Sequence, residues 1–116
     1  MTPAEAKALI EGVAARTPGV GALEESVKWG EQSFAPVRRN VGSSVRIAPR
    51  GNGELALMFI CHTHLVDEFR SLYPDALEFE GNRAIVVRSS GPTDLAALEH
   101  CIALALTFKL RKRGRA

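Results

Sequence analysis

Cys61, His62 and His64, spaced as Cys-His-Thr-His, are the side chains of this chain that look most like chemistry. One thiolate and two imidazoles form a zinc-type donor set at a junction between an apolar strand pattern and a helical one. Local geometry opposes it. On a strand, Cys61 enters the core and His62 points to the opposite face. A fourth ligand is also missing, because His100 lies about 100° round a helix from Cys101. The expectation is therefore a buried thiol at Cys61 with two surface histidines, and no cofactor. Metal handling through Cys61, His62 and His64 is the alternative.

Lys28, Trp29 and Gly30 form the second candidate, and Trp29 is the only tryptophan. The first expectation is that Trp29 packs a helix end onto a sheet, its indole N–H bonded to backbone. Removing such a buried ring would cost about 3–5 kcal/mol. The second reading makes Trp29 the wall of a small pocket entered past Lys28 and nearby arginines, suited to an anionic or aromatic ligand. Ser43 and Ser44 have the nucleophile's atom type but no identifiable base, so they read as a polar strand start. No G-x-S-x-G, H-E-x-x-H or G-x-x-x-x-G-K pattern occurs in the chain, and the expectation is a protein without catalysis.

The elements that must position these residues follow from periodicity. Thr2, Pro3 and Glu5 mark the start of a first helix, with Ala6, Leu9, Ile10 and Val13 as its buried stripe. Leu23 and Val27, four apart and followed by Gly30, predict a short second helix over residues 21–28. Residues 43–48 alternate as a strand, and Pro49 to Gly53 form a turn cluster. Residues 54–61 are apolar on both faces, which predicts a strand in the middle of a sheet. Thr63 caps a third helix with Leu65, Phe69 and Leu72 inward. Residues 77–80 and 83–88 form a hairpin round Gly81 and Asn82. A last helix capped by Thr93 buries Leu95, Leu98, Cys101, Ile102, Ala105 and Phe108. Runs of strands flanked by helices give an α+β fold: an antiparallel sheet with terminal helices packed on one face.

At 116 residues, with 46% hydrophobic and 24% charged residues, the chain reads as one domain with its own core. No apolar run reaches the ~18 residues that a membrane span needs. The first residues carry acid early and lack a signal-peptide layout. Cys61 and Cys101 read as free thiols in a reducing compartment, so the expected setting is cytoplasmic. The net charge of +2 is unevenly spread: the last eight residues hold five cations, leaving ten against 13 acids elsewhere. That places a basic tail at 111–116 beyond a domain at 1–110. Nucleic-acid binding through the tail is a second alternative, but no aromatic residues are interleaved with its cations to stack bases.

A helix ending in Lys28-Trp29-Gly30 and running into a strand at Ser33-Phe34-Ala35-Pro36 resembles the YdhG-like family. These are small bacterial proteins of unknown function, in a superfamily with the frataxin-like proteins. The resemblance spans roughly residues 4–110 and implies the same two-layer α+β arrangement. It also raises iron, which frataxin-like proteins meet with an acidic ridge on the first helix and adjoining strand. Here Glu5 and Glu11 are offset by Lys7 and Arg16, and Glu24 and Glu25 are adjacent. The expected function is a small binding or interaction domain for a ligand or protein partner. Its contacts would be Lys28 and Trp29, together with the sheet's second face. Alternation puts Ala56, Met58, Ile60, Ala84 and Val86 on that face, and Met58, Ile60 and Val86 are the expected surface of a possible homodimer.

Overall fold

The computed structural model of the chain describes residues 1–88 and 93–113. Helix α1 (Pro3–Arg16) starts where its signals predict. The Glu5 N–H donates to the Thr2 hydroxyl at 3.1 Å, and the Thr2 N–H donates to the Glu5 carboxylate at 2.9 Å. These reciprocal bonds satisfy two amides that a helix start otherwise leaves free.

The second predicted helix is a strand. β1 (Leu23–Lys28) pairs antiparallel with β2 (Glu31–Pro36) in unbroken register from Leu23↔Pro36 to Lys28↔Glu31. Trp29 and Gly30 both have positive φ, 52° and 77°, as a two-residue hairpin loop of the mirror-image type requires. The helical spacing misled because β1 lies at the rim of the sheet. An edge strand is held by backbone pairing and buries little side-chain surface, so its sequence need not alternate; Val27 is 73% exposed.

The remaining strands are β3 (Val45–Gly51), β4 (Glu54–Met58), β5 (Glu78–Glu80) and β6 (Ala84–Val87). Helices α2 (Leu65–Leu72), α3 (Leu95–Leu106) and α4 (Phe108–Arg113) complete the described elements. The strands form one antiparallel sheet in the order β1-β2-β3-β4-β6-β5, with β4 inside it as its two-sided apolarity implied. Phe34, Ile47, Leu55, Leu57 and Ile85 join Ile10 of α1, Phe69 of α2 and Leu98 and Ile102 of α3 in one core. The rings of Phe59 and Phe69 meet edge to face at 5.0 Å. This is the expected α+β architecture. No helix among the described residues is long and apolar enough to cross a membrane.

Local corrections have local causes. β4 ends at Met58, and the Phe59 N–H then donates to the Arg83 carbonyl at 2.7 Å. The chain turns through a single 3₁₀ turn (Cys61–Thr63), so strand alternation ceases and Cys61 is exposed instead of buried. In α2 the buried residues are Leu65, Val66 and Phe69, while Leu72 is exposed. α3 is capped by Asp94, which accepts from the Ala97 N–H at 3.0 Å, in place of Thr93. Gly91 and Pro92 lie outside the described residues.

The long last helix breaks at Thr107. The Ser43 N–H takes the Ala105 carbonyl at 2.8 Å, and the N–H groups of Lys109 and Leu110 turn to the Val41 carbonyl at 3.0 Å. Leu106 fills the buried slot expected for Phe108, which is half-buried, and Leu95 is exposed. Arg111, expected in a solvated tail, belongs to the domain: its guanidinium donates to both Glu68 oxygens (2.9 and 3.0 Å) and to the Leu104 carbonyl.

The second face of the sheet carries no helix, yet it is no apolar patch. Its floor is small: Ala48, Ala56 and Ala84, with Val86 only 8% exposed. A layer of ion pairs lies over it. Arg50 on β3 reaches Glu80 on β5 with two bonds of 2.6 and 2.7 Å, spanning β4 and β6. Arg88 grips Glu78 at 2.7 and 2.6 Å and also donates to Glu54 at 2.9 Å. Of the expected interface residues, Val86 is therefore buried, Met58 is half-buried beside the alanines, and Ile60 has left the face altogether.

Two predictions follow from this packing. A Cβ at Gly42 would sit 1.9 Å from the Leu106 carbonyl oxygen. Backbone must move to admit it, so Gly42→Ala should cost about 3 kcal/mol or more in a urea titration. The Arg88 and Arg50 guanidiniums hold the Glu78 and Glu80 carboxyls below the ordinary carboxylate range. Their stabilisation is present above the unfolded-state pKa of about 4.3 and is lost as pH falls through the lower folded values. Glu78→Gln with Glu80→Gln should flatten the acid side of the stability–pH curve, as read by thermal melts between pH 2 and 6.

Candidate functional site: a cationic groove at the Trp29 turn

The tip of the β1–β2 hairpin stands over the start of β3 and the turn that follows β4. Between them lies an open groove of about 630 Å³, lined by Lys28, Trp29, Ser44, Arg46, Ile60 and His62, with Glu31, Phe59, Cys61 and Arg83 completing it. The hairpin delivers Lys28 and Trp29. Residues 59–62 arrive because β4 stops three residues short of the expected strand, and Arg83 is the residue before β6.

Trp29 does not pack onto the sheet. It is 83% exposed, so the loss of about 3–5 kcal/mol that truncation of a buried ring carries does not apply. The Arg46 guanidinium lies 4.8 Å from the ring centroid, a cation–π contact worth about 0.5–1 kcal/mol at an exposed site. Arg46 also donates to Glu31 at 2.8 Å, which fixes it in place. The backbone of Trp29 is unfavourable for its type: a left-handed residue other than glycine costs about 1–2 kcal/mol, and this turn position suits Asn, Asp or Gly. Beyond the contact with Arg46, which is worth less than that strain, a large exposed ring gains nothing for the fold that those residues would not supply. Such outliers gather at functional sites.

The charges of the groove are unequal. Lys28, Arg46 and Arg83 face a single carboxylate, Glu31, and Arg46 already neutralises it. Among the described residues neither Lys28 nor Arg83 has an ion-pair partner. The groove is therefore suited to holding a negative group beside a flat apolar surface.

Cys61 and His62 share this groove with Trp29, whereas His64 does not line it. His64 Nδ1 lies 3.4 Å from Asp67 Oδ2, and it faces a separate hollow with Glu68 and Arg111. His100 Nδ1 is 2.5 Å from the Tyr73 hydroxyl. Among the described residues no three His, Cys, Asp or Glu side chains gather to hold a metal ion. Of the acids raised by the frataxin-like resemblance, Glu5 caps α1 and Glu25 pairs with Lys7 at 2.8 Å. Ser43 is buried, and Ser44 lines the groove with no hydrogen bond to an imidazole or carboxylate among the described residues.

Sequence reasoning did not single out Arg46 or Arg83, and it set Ser44 aside as a polar strand start. Arg46 carried a faint signal, a cation on the polar side of an alternating strand, but nothing tied it to Trp29 before β2 and β3 paired.

Two outcomes check this geometry. Trp29→Asn, which suits the turn, should raise stability by up to about 1 kcal/mol in chemical denaturation, because the left-handed strain relieved exceeds the contact with Arg46 that is lost. Ellman's reagent should titrate one thiol in the native protein, Cys61. Cys101, fully buried and with its thiol pushed up to about 12 by that burial, should react only on unfolding.

No protein-family model matches the chain, and comparison with curated proteins and with solved structures returns no significant match.

Proposed function

We propose that this chain is a non-catalytic binding domain whose groove at the Trp29 turn takes an anionic ligand with a planar or apolar body. The body lies against the exposed indole, and the negative group sits between Lys28 and Arg83. One observation carries the reading: a strained, solvent-facing tryptophan stands beside two cations with no carboxylate partner among the described residues. Kinship with the YdhG-like family and a cytoplasmic setting belong to the same proposal; the kinship rests on the residues Lys28-Trp29-Gly30 alone, since the helix expected to end there is strand β1, and the setting rests on the two free thiols.

Trp29 is the only tryptophan, so its emission reports directly on the groove. Phenyl phosphate and thymidine 5′-monophosphate should quench it saturably, and the affinity should fall as salt screens the exposed cations. Arg83→Glu should weaken binding by roughly tenfold to a hundredfold, the range for a lost charged hydrogen bond. Unsaturable quenching, identical in the wild type and in Arg83→Glu, would sink the proposal.

A further inference from the structure

The groove continues past His62. A second hollow of about 520 Å³, lined by Asn40, His62, Thr63, Phe108, Lys109 and Lys112, adjoins the first at that histidine. The smaller hollow holding Glu68 and Arg111 shares His62, Thr63, Phe108 and Lys112 with it. An indole thus stands at one end of a track and, at the other, a phenyl ring that packs partly against the core and lines both hollows.

Charge follows the same line. Glu31 and Glu68 are the carboxylates of the track, and each is already held by an arginine, Arg46 and Arg111 respectively. Lys28, Arg83, Lys109 and Lys112 have no ion-pair partner among the described residues. Four cations are left over, two near each ring. Of these four, Lys112 has its ammonium 5.9 Å from the Phe108 centroid, while the paired Arg46 lies over Trp29.

We propose, on the basis of the anion-groove reading above, that the occupant of this track is a single-stranded nucleic acid. One base stacks on Trp29 and another on Phe108, and the intervening phosphates meet the four free cations. Aromatic platforms alternating with cations are what an unstacked polynucleotide requires. A duplex keeps its base faces inside its own stack, and an acidic peptide has nothing flat to lay on either ring. The basic stretch at the end of the chain lacked interleaved aromatics in sequence; the fold supplies them, Phe108 from the break after α3 and Trp29 from the far hairpin.

Binding of thymidine 5′-monophosphate should be compared with that of a four- and an eight-residue oligothymidylate, by Trp29 emission and by calorimetry. Affinity should rise by roughly tenfold or more from the monomer to the eight-residue strand, the gain from one further stacked base. The plot of log affinity against log salt for the longer strand should have a slope of about −3, from four phosphates at about 0.7 each. Lys109→Glu with Lys112→Glu should abolish the length gain and leave monomer binding unchanged; Lys112→Gln alone should reduce the slope by about 0.7. If the monophosphate binds and the eight-residue strand binds no tighter, the inference falls and the anion groove stands. If neither binds, both fall. An octaglutamate peptide that matches the oligonucleotide, or a duplex that exceeds it, overturns the assignment to single strands.

Discussion

The exchange of backbone hydrogen bonds between residues 41–43 and the end of α3 governs much of what surrounds it. In an unbroken helix the Ala105 carbonyl would serve the Lys109 amide. Here the Ser43 amide takes that carbonyl, and Val41 compensates Lys109 and Leu110. The trade gives the Lys109 and Leu110 amides a partner outside the helix, which helps a helix to stop there inside a packed domain. It also requires that the residue between Val41 and Ser43 have no side chain, since Leu106 occupies the space. Once the axis turns at Thr107, Arg111 reaches Glu68 on α2, and Phe108, Lys109 and Lys112 turn toward His62.

The two tight hairpins contrast in a way that bears on function. The β3–β4 loop uses Asn52 and Gly53, with φ of 53° and 76°, and these are the residue types such a turn favours. The β1–β2 loop adopts the same sign of φ with tryptophan in the first position. One hairpin is built for stability and the other tolerates strain while presenting a ring to solvent. Natural proteins carry such local costs where a side chain has work to do.

The sheet's uncovered face solves a separate problem. A two-layer fold leaves one side of its strands without helices, and an apolar surface there would invite association. The chain instead places alanines at the centre and spans them with long arginine and glutamate side chains. Their methylene stems shield the floor while their charged ends stay hydrated. Each exposed pair contributes little alone, but the pairs share partners, Arg88 holding both Glu54 and Glu78. The face is closed and polar, whereas round His62 cations without a partner among the described residues stand beside aromatic rings.

Sequence by itself determined the α+β class, the cap of α1, the central place of β4 and the hairpin ending in β6. Those features rest on short-range rules: a capping box, two-sided apolarity, turn residues between alternating runs. It also marked Lys28 and Trp29, because a lone tryptophan beside a cation and a glycine is conspicuous wherever it folds. Only the tertiary structure decided that residues 23–28 are a strand, since an edge strand is chosen by its partner's backbone and not by its own apolar pattern. The same is true of Cys61: its exposure depends on where β4 loses its neighbour, a fact of pairing between Phe59 and Arg83 that no local window contains. The track itself was illegible. Trp29, Arg83 and Phe108 come from a hairpin tip, a strand start and a helix break, and no periodicity links them. Uncompensated charge is a property of which side chains have already found partners, and that is settled only when the chain has closed on itself.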